Sequence, residues 1–452
     1  MIWPIPLYFM ATEFRNLVAL SEPSLPEVHA SVRVSMSPFY FRRLLGFLGP
    51  GFLISVGYMD PGNWATDIAG GSRFGYTLLF VIMASNLMAI LLQSLSLKLG
   101  VATERDLAQL CHENYGPKVS LVLWVGAEIA IAACDLAEVI GSAIALELLF
   151  HIPLLYGVLI TGLDVLLILL LQRWGFRYVE ALVITLIGTI IGMFGVQMFL
   201  SRPDYWPALQ SLFIPSASIV MNPDMLYIAI GMLGATVMPH NLYLHSSIVQ
   251  SRRYKRTPEG KREAVHMANI DSALALTLAL FVNAAILIVA AAVFNRSGHF
   301  EVAAIQDAYK LLSPLLGAAG ASTLFAVALL ASGQNSSITG TLAGQIVMEG
   351  FIHLKLSPWL RRLITRSIAI IPTIIVVAIT GERGTEKLLI LSQVILSLQL
   401  SFAVIPLVMF TNSRKKMGEF VNAPWLKVLA WTTAAIIAVL NVWLLVETAM
   451  GR

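Results

Sequence analysis

The chain has 452 residues, 57% of them hydrophobic and only 12% charged, with a mean hydropathy of +0.78. Soluble domains run nearer to about 45–50% apolar and about 25% charged, so this composition points into the bilayer and leaves no room for a large soluble catalytic domain. The net charge is a mild +4, and two cysteines, Cys111 and Cys134, are too few for a disulfide framework.

Residues 1–43 form an N-terminal segment without a sustained apolar helix. Met1 to Met10 is apolar but short, lacks a basic n-region and has no clean cleavage site, so it is not read as a signal peptide. From residue 44 to 448 apolar segments recur between clusters of charge, Gly and Pro, and residues 449–452 make a short tail. A membrane helix needs about 20 mainly apolar residues. The expected spans are 44–72 (broken), 75–99, 118–149, 153–172, 178–200, 225–250 (broken), 269–294, 319–353, 364–381, 386–411 and 425–448. The chain is thus expected to be an all-α integral membrane protein of eleven helices. With the N-terminus in the cytoplasm, 23 of the 30 Lys and Arg fall inside and 7 outside. A bias of that size supports both the span number and the orientation, with the C-terminus extracytoplasmic. The densest basic run, Arg252, Arg253, Lys255, Arg256, Lys261 and Arg262, is read as a topology anchor.

Two spans are interrupted near their middles by matching motifs. The first holds Asp60-Pro61-Gly62-Asn63 and the sixth Met238-Pro239-His240-Asn241, both of the form x-Pro-x-Asn. Proline removes a backbone donor and clashes with the carbonyl four residues back, so each helix opens there. Bare carbonyls in hydrocarbon are costly, so each break must face a protein-lined cavity. Five spans separate the two breaks, which puts the two halves of the chain in opposite orientations, the pattern of an inverted-repeat transporter. The ligand types at the breaks are mixed. Asp60 offers a carboxylate, Asn63 an amide oxygen, Met238 a thioether, and the carbonyls near Gly57 and Ala235 become available. Hard cations prefer all-oxygen shells, whereas a thioether suits softer transition metals, so the set suggests Mn²⁺, Fe²⁺ or similar ions.

These motifs resemble the signature pair of the Nramp family of divalent-metal transporters, in its bacterial proton-dependent manganese-transporting branch. Gly49-Pro50-Gly51, the run from Ser332 to Gly340, and Leu391-Ser392-Gln393-Val394 match as well, and the likeness covers roughly residues 44–448. The resemblance implies the leucine-transporter (LeuT-like) fold, with spans 1–5 and 6–10 as inverted repeats and helices 1 and 6 broken. It implies a metal site of Asp60, Asn63 and Met238, joined by the carbonyls of Gly57 and Ala235 and by Gln393, with Gln399 as a weaker alternative. It also implies no cofactor, the metal being the transported substrate and protons the coupling ion.

Proton coupling needs titratable groups near the metal. Asp60 qualifies, and His240 lies two residues after Met238. On the third span, Glu128, Asp135 and Glu138 share one helical face about 80° wide, which must turn to a polar interior. An arginine of the ninth span is expected to neutralise part of that face. Arg366 is the best match to the family pattern, with Arg361 and Arg362 in competition. Asn283, Gln334, Asn335, Ser336 and Thr339 are expected to hydrogen-bond between helices. Asp164 is read as an interhelix partner, His245 as pathway or structural, and Cys134 as apolar filler.

The expected function is proton-coupled import of Mn²⁺ and Fe²⁺ across the cell (inner) membrane. The expected partners are the lipid bilayer, divalent metal ions and protons, with no nucleic acid and no obligate protein. The competing reading is a sodium-coupled amino-acid or amine transporter of the same fold, which Asp60 disfavours because it would repel a substrate carboxylate. A membrane metal sensor would need a signalling domain, and the tails look featureless. No HExxH, CxxC pair, P-loop or G-x-S-x-G appears, so the chain is not expected to be an enzyme.

Overall fold

Proline at the first helical position opens most of the long elements, where its missing N–H costs nothing. The computed structural model describes residues 23–26, 28–34, 39–162, 174–302, 304–318, 320–353, 358–380 and 384–450. Helix α1 (Tyr40–Phe47) precedes a first span built from α2 (Pro50–Gly57) and α3 (Pro61–Phe74). The second span is α4 (Leu79–Thr103), followed by a short α5 (Leu107–Asn114) and the third span, α6 (Pro117–Phe150). The fourth is described over α7 (Leu154–Thr161), and the fifth is α8 (Phe176–Ser201). The sixth comprises α9 (Pro223–Thr236) and α10 (Pro239–Ile248), and the seventh is α11 (Pro258–Ala290). Then come α12 (Ala321–Ile352), α13 (Pro358–Thr380), α14 (Thr385–Thr411) and α15 (Pro424–Ala449) as spans eight to eleven.

Among the described residues seven helices are long and apolar enough to cross a membrane: spans 2, 3, 5, 6, 7, 10 and 11. The other four fall short for identifiable reasons. The first span is divided into two short helices, and the fourth is described only in part. The eighth carries the polar run from Ser332 to Gly340, and the ninth concentrates its apolar residues in Ile370–Ile379.

The broken spans form the centre. Within the sixth, 94% of the most apolar window is buried, against 33% in the fifth and eleventh spans, which therefore offer most of their surface to lipid. Spans 3, 7, 8 and 10 surround the two halves of the first span. Exposed Trp174, Tyr178, Tyr205, Trp206 and Trp425 lie near span ends, as interfacial aromatics do.

Two expectations need correction. The first span does not run unbroken from residue 44 to its motif. The chain also breaks at Leu48-Gly49, where Gly49 takes a φ of 142° that other residues avoid. The N-terminal segment is also not featureless. Val32–Arg33 pairs in parallel with Arg252–Arg253, and Leu25, Val28 and Val32 are buried. Leu25 N donates to Glu349 Oε2 at 2.9 Å and Ala30 N to the Gln250 carbonyl at 3.0 Å, so residues 24–33 strap the basic side of the sixth and eighth spans. Leu25, Val28 and Val32 fall at helical spacing, but Pro23 and Pro26 interrupt the segment and its pairing with Arg252–Arg253 is non-local, so the strap leaves no sign in the sequence.

The third span packs tightly on the first break. A β-carbon at Gly141 would lie 2.2 Å from Pro61 Cβ, whereas one at Gly188, on the fifth span, would meet nothing within 4 Å. Gly141→Ala should therefore cost about 1–3 kcal/mol by overpacking. Gly188→Ala should be neutral or slightly stabilising. Thermal unfolding of the two purified variants in detergent checks the contrast: Gly141→Ala should melt clearly below the parent and Gly188→Ala should not.

Candidate metal site and proton-bearing face

Asp60 is the N-cap of α3, and its side chain accepts from the Asn63 backbone N–H at 2.7 Å, the ordinary capping geometry. Here the cap also aims the Asn63 side chain. Asn63 Nδ2 donates to Asp60 Oδ1 at 2.7 Å, to the Ala235 carbonyl at 2.9 Å and, more weakly, to the Gly57 carbonyl at 3.4 Å. Three oxygens from both broken spans therefore converge on one small electropositive group. The carbonyls belong to the last turns of α2 and α9, where the breaks leave them without helical partners. Asp60 Oδ2 is buried and has no hydrogen-bond partner among the described residues.

Met238 is the N-cap of α10 and fully buried. A β-carbon at Gly57 would lie 3.2 Å from its sulfur, so the thioether borders the same point. Gln393, on α14, presses its amide against Gly62, where a β-carbon would overlap it at 1.7 Å. Its Nε2 donates to Ser392 Oγ at 3.0 Å, and its Oε1 is buried without a partner among the described residues. All six metal-site candidates are thus gathered around the two breaks. Gln399 lies further along α14 and has no such contact with the first motif among those described.

The remaining carbonyls of the first break are answered by neighbouring spans. Asn283 Nδ2 donates to the Tyr58 carbonyl at 2.7 Å, and Ser336 Oγ to that of Val56 at 3.4 Å. Ser332 Oγ and Trp64 Nε1 both donate to the Met59 carbonyl. Of the polar residues expected to tie helices together, Asn283, Ser336 and Asn335 do so, and the first two bind the opened backbone. Asn335 reaches the Val183 carbonyl on the fifth span at 3.3 Å, and Thr339 bonds within its own helix.

Of the proton candidates, Asp135 and Glu138 are buried and both face Gly340 of the eighth span. A β-carbon there would lie 2.7 Å from Asp135 Oδ1 and 3.3 Å from Glu138 Oε1. Glu128 is nearer the basic side, accepts from Trp124 Nε1 at 3.0 Å, and shares with Asp135 and Ile368 the lining of a cleft of about 200 Å³. The three carboxylates do share a face, and it turns inward. His240 is fully buried, with neither ring nitrogen hydrogen-bonded among the described residues. His245 is tied through Gln93 to the Tyr58 hydroxyl, at 2.9 and 2.8 Å. The side chain of Arg366, like those of Arg361 and Arg362, lies outside the described residues, as does Asp164.

Cys134 is more than filler. Its Sγ donates to Glu138 Oε1 at 3.4 Å, and it packs with Ala133, Met238 and Leu396. It therefore shares a small apolar cluster with Met238 of the sixth span and bonds a carboxylate of the third. Only tertiary contact shows this, because a lone cysteine in an apolar run carries no sequence signal.

Comparison with known proteins identifies the family. The profile of the Nramp family, described as natural resistance-associated macrophage protein-like, matches residues 51–447. The divalent metal cation transporter MntH of Nostoc sp. is 63% identical over 431 residues, 95% of this chain and 97% of that protein. A crystal structure of the Eremococcus coleocola manganese transporter, in complex with an aromatic bis-isothiourea compound, superposes with a TM-score of 0.87 at 46% identity. It covers 93% of this chain and 90% of its own. Mhp1, a nucleobase-cation-symport-1 family transporter, shares only the fold, with a TM-score of 0.59 at 14% identity over 87% of this chain and 91% of its own. On its motifs, its fold and its relatives, the chain belongs to the Nramp family.

Proposed function

We propose that this protein imports divalent transition-metal ions, Mn²⁺ and Fe²⁺, across the cell membrane by alternating access, coupled to proton movement. The observation that carries the reading is the convergence of Asp60 Oδ1 and the Gly57 and Ala235 carbonyls on the Asn63 amide nitrogen. An amide N–H₂ is a weak substitute for a cation. A metal beside that point exchanges three hydrogen bonds for three oxygen ligands once the Asn63 side chain draws back and turns its amide oxygen toward the ion as a fourth. Asp60 Oδ2, the Met238 sulfur and Gln393 Oε1 stand ready to complete the shell. The one sulfur ligand favours softer divalent ions over Ca²⁺ and Mg²⁺ without preventing release.

The names of the relatives fit: divalent metal cation in one, manganese in the other. Membership of a transporter family also makes the protein a carrier rather than an enzyme. An amino-acid substrate is disfavoured by the same cap, since Asp60 already occupies the N-terminus of α3 where a substrate carboxylate would bind. The bias of 23 basic residues against 7 supports a cytoplasmic N-terminus and an extracytoplasmic C-terminus. A negative interior then favours entry by about 4.6 kcal/mol per 100 mV for a divalent ion crossing the whole field.

Asp60 binds metal or proton but not both at full strength, so metal entry expels a proton toward the third span. Glu138 and Asp135 receive it beside Gly340, and Glu128 leads it to the basic, cytoplasmic side. The Cys134 thiol steadies Glu138 next to the metal. Arg366 of the ninth span is assigned to balance this acidic face on the family pattern.

Proteoliposomes holding a pH-sensitive dye test the reading. Mn²⁺ added outside should enter with acidification of the lumen, and Asp60→Ala should lower uptake by more than the ten- to hundredfold typical of outer-shell changes. Met238→Ala should retain Mn²⁺ uptake but lose about tenfold in discrimination against Ca²⁺. A parent protein that moves no transition metal would end the proposal.

A second prediction separates the proton route from the metal site. Glu138→Gln should leave Mn²⁺ binding within about threefold of the parent and lower the proton flux per metal ion at least fivefold. Unchanged proton flux would remove the third-span carboxylates from the mechanism.

A further inference from the structure

The Gly49-Pro50-Gly51 turn is not among the proposed metal ligands, yet charged side chains from three other segments brace it. It opens α2, the half of the first span that ends at the Gly57 carbonyl. The Asp271 carboxylate, on the seventh span, straddles the start of that helix, with Oδ1 accepting from Gly49 N at 3.1 Å and Oδ2 from Gly51 N at 2.6 Å. One step earlier, the terminal carbonyls of α1 are held by arginines. Arg252 Nη2 donates to Leu48 O at 2.7 Å and Arg177 Nη1 to the same oxygen at 2.7 Å, while Arg177 Nη2 reaches Leu45 O at 2.9 Å. Glu180, on the fifth span, joins both cations, at 2.7 Å to Arg252 and 3.1 Å to Arg177.

Arg252 and Glu180 are almost wholly buried, at 0% and 1% exposure, in spite of their charges. A buried ion pair adds little net stability compared with apolar residues of the same shape. Its retention therefore needs another reason. Here every charge is directed at one junction: carboxylate on the freed N–H groups, guanidinium on the freed carbonyls. The space is filled as well, since a β-carbon at Gly49 would lie 2.5 Å from both Arg252 Nη2 and the Glu180 carboxylate, and one at Gly51 would lie 2.6 Å from the Ser272 backbone. Arg252 also begins the strand that pairs with Val32, so the clamp and the N-terminal strap share a residue.

We propose that Asp271, Arg252 and Glu180 are positioning residues for transport: together they form the lock that holds α2 closed against the fifth, sixth and seventh spans until metal is released. This rests on the transport reading above. Release to the basic side requires α2 to move away from the site, and α2 cannot move without withdrawing Gly49 and Gly51 from Asp271 and Leu48 from Arg252. The strength of these contacts then fixes how much of the protein faces inward, and with it the apparent affinity for metal arriving from outside.

The native Cys134 beside Met238 reports the opening once the other cysteine is removed by Cys111→Ser. In membrane vesicles of either orientation, its labelling by a membrane-impermeant methanethiosulfonate is followed without metal. Asp271→Asn should raise labelling from the basic side about tenfold and leave labelling from the opposite side unchanged or lower. The KM for external Mn²⁺ should rise more than kcat falls. The double variant Arg252→Met/Glu180→Met removes the buried charges while keeping the bulk. If the pair only supports the fold, this variant should behave as the parent; if it is the lock, labelling rises because Leu48 O has lost the buried one of its two arginine donors and Arg177 has lost Glu180. Should Asp271→Asn fail to fold, Arg177→Gln at the exposed edge of the same junction should give a rise of about threefold. Parent-like labelling in the folded variants, or an equal rise from both sides, overturns the proposal. Absence of Mn²⁺ uptake by the parent would sink the transport reading instead, and the labelling result would still decide whether the clamp governs α2.

Discussion

Backbone opened inside a membrane must be answered by the protein itself, and most of this structure follows from that requirement. A bare carbonyl or N–H in hydrocarbon costs several kcal/mol. The first span breaks between Gly57 and Asp60, and the neighbouring spans supply Ser336, Asn283 and Ser332 to the carbonyls of Val56, Tyr58 and Met59. The Gly57 and Ala235 carbonyls are left to Asn63, whose amide can yield its place to an ion. The low hydropathy of the eighth span follows directly. It is a membrane helix that trades apolar surface for hydroxyl groups because another helix beside it is broken.

The same economy links the metal site to the third span. Pro61 at the break packs on Gly141, and Met238 shares an apolar cluster with Cys134, which donates to Glu138. The site and the acidic face are therefore neighbours on one helix rather than separate features. As proposed above, a charge change at Asp60 has a short route to the carboxylates that gather at Gly340, and Glu128 lies further along the same face, lining a cleft with Asp135. In the proposed mechanism, coupling between metal and proton needs no long-range transmission, only the displacement of one by the other at a shared carboxylate.

How legible this was in the sequence depends on how local each cause is. Asp60-Pro61 and Met238-Pro239 declare themselves because a proline opens its own helix and the ligand is its immediate neighbour. The shared face of Glu128, Asp135 and Glu138 follows from helical period alone. The break at Gly49 was missed because its supports, Arg177, Arg252 and Asp271, are far away in the chain and look ordinary where they stand. Arg252 in particular was hidden in a run of six basic residues whose obvious role is orientation, yet it alone among them is fully buried. The strap of residues 24–33 was invisible for a related reason: its partners are the Gln250 carbonyl, Glu349 and a two-residue strand, none of which imposes a pattern on the strap itself.

The central claim is that one divalent ion sits beside the present position of the Asn63 amide nitrogen, bound by oxygens from both broken spans and by one sulfur. X-ray absorption at the metal edge of the Mn²⁺- or Cd²⁺-loaded protein, with Met238→Ala alongside, tests it most directly. The account predicts a shell of oxygens with a single sulfur scatterer in the parent and the loss of that sulfur in the variant. A shell of oxygen and nitrogen alone in the parent, or a sulfur that persists in Met238→Ala, would contradict it.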